Sequence, residues 1–133
     1  MQIEMTIKGL MVDPVTNMPI VVLRDESGEH SLPIWVGVFE ANAIALQIEN
    51  VTPPRPMTHD LLRNVISNFR GTVEKIVISQ LKESTFYAFV CIRIDGQLSA
   101  VDSRPSDAIA LALRVGAPIF AEESVVTDAK NAE

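Results

Sequence analysis

Between Thr72 and Asp102 the chain reads TVEKIVISQL, KES, TFYAFVCIRI, DG, QLSAVD. Two runs rich in β-branched and aromatic residues flank a short polar loop. Asp95-Gly96 then supplies the positive φ angles that a two-residue hairpin requires. The segment is therefore read as a three-stranded antiparallel meander. A meander of this size has an apolar face that must be covered, so the rest of the chain has to extend the sheet and bring helices onto it.

The flanking segments suit both tasks. In IEMTIKGLMV the residues Ile3, Met5 and Ile7 alternate as in a half-buried strand. MPIVVLRD and HSLPIWVG follow, joined by the turn signal ESGE, and Pro33 points to an edge or a bulge. VFEANAIALQIEN changes to helical period, with Asn50 as a left-handed stop. A second helix is expected to open at Thr58, with His59 and Asp60 in its exposed first turn. Leu61, Leu62, Val65, Ile66 and Phe69 form its apolar stripe, and Gly71 ends it. In SRPSDAIALALRVGAP, Pro105 suits a first turn and Gly116 the position after the last. The interior from Ala108 to Leu113 is apolar all round, which predicts a buried helix. PIFAEESVV reads as a last short strand with a helical turn. The expected fold is α+β: one domain over residues 1–126, a largely antiparallel or mixed sheet with three main helices, and a frayed polar tail over 127–133.

Composition excludes several classes. At 133 residues with 47% hydrophobic and 21% charged residues, the chain matches a soluble globular domain, and no apolar run approaches a membrane span. The N-terminal segment carries Glu4 and Lys8 and lacks the pattern of a signal peptide. A single cysteine, Cys91, excludes an internal disulfide, fits a reducing cytoplasm and reads as a buried inert thiol. A formal charge of −6 counts against gripping nucleic acid by bulk electrostatics but leaves room for a local basic groove. There is no phosphate-cradling glycine loop, no zinc spacing and no nucleophile elbow. With only His30 and His59, a multi-histidine metal site is excluded for one chain.

What remains is a set of polar residues at element ends, where a rigid scaffold can aim side chains. Glu40 opens the first helix. Arg55, His59 and Asp60 stand at the entrance to the second, in TPPRPMTHDLL, whose prolines stiffen the approach. Arg104 and Asp107 stand at the entrance to the third, after Asp102. Each has an ordinary structural explanation. Asp60 and Asp107 answer helix dipoles, and Arg104 pairs with a neighbouring aspartate. His59 bonds a nearby carbonyl, Glu40 pairs with a distant arginine, and Trp35 reads as core or dimer surface in preference to a base-stacking platform. Taken jointly they suggest more. Converging carboxylates hold Mg²⁺ or Mn²⁺, with Asp60 and Asp107 as the candidate ligands. Arg55 and Arg104 suit phosphate oxygens, and His59 suits general acid–base work.

LPIWVGVFEANAIALQIENVTPPRPMTHDLL, TFYAFVCIRIDG and VDSRPSDAIALALRVGAPIFAEE together resemble the bifunctional nuclease domain family, over roughly residues 1–126. Asn50 and Ser103 depart slightly from its pattern. The resemblance implies a cytoplasmic single-domain protein, a homodimer, and hydrolysis of DNA and RNA. Glu40, His59, Asp60 and Asp107 are then the catalytic candidates and Arg55 and Arg104 the substrate-binding ones, because they fall within the matched motifs. The alternative is a non-catalytic binding or regulatory module whose polar motifs hold the fold or a dimer seam.

Overall fold

The computed structural model describes residues 1–131. Their elements run β1 (Gln2–Val12), β2 (Pro19–Arg24), β3 (Ser31–Trp35), α1 (Val38–Ile48), α2 (Thr58–Asn68), β4 (Thr72–Lys82), β5 (Thr85–Ile94), β6 (Gln97–Ser103), α3 (Pro105–Val115), β7 (Ile119–Glu122) and α4 (Glu123–Asn131). The meander is present as read. β4, β5 and β6 pair antiparallel, and Asp95 and Gly96 take φ of 52° and 77° in the turn. The first hairpin is tighter than the loop read from KES, with Glu83 and Ser84 at φ 51° and 64°.

The sheet order is β3-β2-β1-β7-β4-β5-β6, and only β4–β7 is parallel. β1 serves two neighbours in succession. Gln2–Met5 pairs with β7, Thr6–Val12 pairs with β2, and the register slips between Ile7 and Gly9. A strand that changes partners at such a slip turns a corner in the sheet. The curl is visible in α4, which packs against both β3 and β4. Those strands stand four places apart, roughly 19 Å if flat. A helix of 9 residues is only about 13.5 Å long, so the sheet wraps around its core. Pro33 sits on edge strand β3, where its missing N–H costs no ladder bond.

α3 is the central helix. Residues Ala108–Ala112 are fully buried, and it packs on β4, β5, α1 and α2. Gly116 closes it at φ 72°, as expected. Arg70, at φ 63°, takes the left-handed position after α2, and Asn50 does so after α1. Gly71 is needed for close approach instead, since a Cβ there would lie 2.9 Å from Ile66 Cγ2.

Three expectations change. Among the described residues there are four helices: α4 continues through most of the segment read as a frayed tail, and Ala129 packs against the core. Residues 132–133 of that tail lie outside the described residues. α2 opens at Thr58 as read, but Met57 rather than Thr58 is its cap, so the helix starts one residue earlier than a Thr58 cap implies. Most consequentially, α2 is inverted. His59 and Asp60 are buried and, of the expected stripe, Ile66 packs against the core, whereas Leu61, Leu62, Val65 and Phe69 are exposed. The polar face turns inward because α3 offers it Asp107 and Arg114 as partners, which an apolar face could not satisfy.

Candidate active site

The first turns of α1, α2 and α3 meet at one cavity of about 540 Å³. Phe39, Glu40 and Asn42 come from α1, Thr58, His59 and Leu62 from α2, and Arg104 and Asp107 from the start of α3. Local sequence explains each placement. Pro105 restricts the preceding residue to extended backbone, and Arg104 has φ −71° and ψ 144°. Its side chain turns back over the first turn, where Asp107 stands three residues on. Arg104 Nε and Nη2 both lie 2.9 Å from Asp107 Oδ2, a fork that holds the guanidinium in its charged form. Glu40 stands at the third helical position of α1, and its carboxylate folds back over Gly37. It lies 3.7 Å from Arg104 Nη1.

The link between the two proline-led motifs is His59. Its Nε2 lies 2.9 Å from Asp107 Oδ1, across 48 residues of chain. The imidazole side chain is 10% exposed and the carboxylate 31%. One aspartate thus divides its two oxygens between a histidine and an arginine. With Nε2 engaged, Nδ1 is the ring nitrogen left for a substrate, and Asp107 sets its tautomer and orientation.

Asp60 stands elsewhere. Oδ2 accepts the Met57 N–H at 3.0 Å, and Oδ1 accepts Arg114 Nε at 2.8 Å. Arg114 also donates to Ala110 O at 2.8 Å and to Ala43 O at 3.0 Å, so it ties α3 to both α1 and α2. Burial pushes the Asp60 carboxyl up, but the Met57 N–H and Arg114 outweigh it and hold the group below the usual carboxylate range. Its position at the start of α2 serves the helix and the ion pair, and it does not line the cavity. Arg55 is exposed and also outside the lining. Of the six sequence candidates, the structure brings together Glu40, His59, Arg104 and Asp107.

Sequence reasoning missed Arg114 and the apolar rim. Arg114 falls in the last turn of a helix read as buried on all sides, and an arginine in such a helix must find buried acceptors. That signal was available in RPSDAIALALR. The rim residues Phe39, at 86% exposed, and Leu62 could not be found, because their periodicity looked like core.

Arg104 faces two carboxylates, Glu40 and Asp107, and each of the three helices carries an acid in its first turn, so a cation beside the helix starts is already partly matched by the protein's own side chains. A pre-formed metal cage is not evident. Among the described residues no group of three or more His, Cys, Asp or Glu side chains could hold an ion. The two expected ligands, Asp60 and Asp107, each have both oxygens engaged by protein donors.

The family model described as bifunctional nuclease domain matches residues 21–133. Two proteins of Mycobacterium tuberculosis are each 44% identical to the chain over 126 residues, covering 95% of it and 75% of each relative. They are Uncharacterized protein MT1877 of strain CDC 1551 / Oshkosh and Uncharacterized protein Rv1829 of strain ATCC 25618 / H37Rv.

Proposed function

This chain belongs to the bifunctional nuclease domain family, and from that membership we propose that it hydrolyses phosphodiester bonds of DNA and RNA at the cavity between the three helix starts. The observation that carries the proposal is the convergence itself: residues from the starts of three helices line one hollow, among them a guanidinium and an imidazole held by a shared carboxylate. That combination suits a phosphodiester despite the net charge of −6, since the attraction is local.

In the proposed reaction His59 Nδ1 takes a proton from the attacking water as its oxygen bonds to phosphorus. The proton is returned to the leaving oxygen as the old P–O bond breaks. Asp107 on Nε2 stabilises the imidazolium between these events. Arg104 and the N–H groups of the first turns offset the extra negative charge on the phosphoryl oxygens. Glu40 holds Arg104 from the other side, and Arg55, on the approach segment, supplies a second guanidinium for the strand. A divalent ion would add charge neutralisation. No step here is routed through one, because Asp60 and Asp107 do not form a vacant carboxylate pair.

A second reading has its own support. Asp60–Arg114 is closed and buried, and α2 presents an apolar face outward, as a regulatory or binding module would. We place the expected homodimer on that face, and the cytoplasm remains the proposed compartment. No described helix is long and apolar enough to cross a membrane. The deciding experiment is a cleavage assay on purified wild type beside His59→Ala and Asp107→Asn, with Mg²⁺, Mn²⁺, Ca²⁺ and EDTA arms. Loss of cleavage in both variants supports catalysis. Activity that survives both and varies between preparations belongs to a contaminant, and the binding-module reading then stands.

A further inference from the structure

Arg104 borders two hollows. Besides the cavity at His59 it lines a smaller one of about 270 Å³, built from parts of the chain far apart in sequence. Trp35 comes from the end of β3, Thr85 and Phe86 from the start of β5, and Ser106 from the first turn of α3. The curl of the sheet makes this meeting possible by bringing edge strand β3 round towards the β4–β5 turn. Small-molecule sites usually enclose about 300–1,000 Å³. A hollow just under that range fits a fragment the size of one nucleobase rather than a whole ligand.

Its chemistry points the same way. Trp35 is 50% exposed although it is the largest aromatic side chain in the protein. Its Nε1–H is already satisfied, donating to Asp13 Oδ2 over 2.9 Å. The indole is thereby anchored at its edge, which leaves its ring free for stacking at little ordering cost. Ser84, Thr85 and Ser106 line the same hollow and give it polar character.

We infer that this hollow is a nucleoside subsite, in which one base of an unpaired strand stacks on Trp35 while the adjoining phosphodiester crosses Arg104 into the His59 cavity. The inference rests on the nuclease reading above for the position of the phosphate. It gives that reading a substrate class. A base lying against an indole has left its own stack, so single strands are bound and continuous duplex is not. Stacking is tolerant of base identity and needs no 2′-hydroxyl, which accommodates DNA and RNA at one site.

Trp35 is the sole tryptophan, so the native chain reports on itself. The probe is a short single-stranded phosphorothioate oligonucleotide, compared with its duplex and with inorganic phosphate. The expected result is saturable quenching of tryptophan fluorescence by the single strand, with none from phosphate and far less from the duplex. Trp35→Ala should weaken binding of the labelled oligonucleotide by roughly 10–100-fold, with Trp35→Phe restoring most of it. In the cleavage assay Trp35→Ala should raise KM far more than it lowers kcat. Quenching without cleavage upholds the subsite and rejects the nuclease reading. Cleavage with unchanged KM in Trp35→Ala and no quenching in wild type rejects the subsite and upholds the nuclease. Equal quenching by duplex overturns the single-strand assignment. Should Trp35→Ala fail to fold, the wild-type titration alone decides.

Discussion

Arg114 Nε donates to Asp60 Oδ1 over 2.8 Å, joining residues 54 apart, with the guanidinium side chain 1% exposed and the carboxylate 9%. This pair explains why a helix with an apolar face turns that face to solvent. Once Arg114 is carried into the interior by α3, the nearest element must bring it a carboxylate.

Removing one partner leaves the other charged and buried. Arg114→Met and Asp60→Asn should each cost about 3–5 kcal/mol of stability in urea unfolding. Asp60 is held below its ordinary value of 3.8, so its contribution is complete above that pH and is lost as pH falls through the lowered pKa. The gap between wild type and Asp60→Asn should therefore narrow on acidification. If Asp60→Asn instead abolishes cleavage at unchanged stability, Asp60 is catalytic and its structural role is minor.

His59→Ala should reduce kcat by about 10²–10⁴-fold, the usual range for a general acid or base. Asp107→Asn should reduce it less and alter the pH profile, since Asp107 acts through His59. Equal kcat in wild type and His59→Ala, at matched purity, excludes His59 from the chemistry.

Gly37→Ala tests Glu40 without touching it. Gly37 has an ordinary φ of −70°, so alanine strains no backbone, but its Cβ would collide with Glu40 Oε1. The flexible carboxylate has to move, which should change stability by no more than about 0.5 kcal/mol. Activity should nonetheless fall to the level of Glu40→Ala. Full activity in Gly37→Ala would show that the seat of Glu40 is irrelevant.

Far from the cavity, His30 Nδ1 lies 2.7 Å from Asp25 Oδ2 and holds that carboxyl down to about 2. A carbon-detected carboxyl titration should place the Asp25 midpoint near that value. His30→Ala should return it towards the ordinary 3.8. Because the folded value is depressed, the stabilisation is present above 3.8 and disappears as pH drops through about 2.

The exposed row Leu61, Val65 and Phe69 should seat a second copy. Sedimentation should show a dimer, and Val65→Glu with Phe69→Glu should convert it to a monomer. A stable interface needs about 800 Å² per partner, which this row with neighbouring Leu62 and Phe39 can supply only if α1 and α2 both take part. A wild type that stays monomeric at every accessible concentration rejects this face as the seam.

Alternation in Ile3-Met5-Ile7, the Asp95-Gly96 turn and the Pro105…Gly116 brackets are local instructions, and each is obeyed because backbone sterics act over a few residues whatever the rest of the chain does. Family membership was legible for a related reason: the R-P-S-D and P-R-P-x-T-H-D motifs have to be kept together in the chain to start their helices.

Which face of α2 is buried was not legible, since periodicity reports two faces and does not say which one finds a partner. Leu61, Val65 and Phe69 looked like core until α3 supplied Asp107 and Arg114 for His59 and Asp60. The same holds for the site. Sequence alone determined that charged groups stand at three helix starts and that the chain makes an α+β fold. Only tertiary packing decided that Glu40, His59, Arg104 and Asp107 share a cavity while Asp60 is spent on Arg114. The physical reason is that pairing buried charges depends on distances in space, which spacing along the chain does not carry.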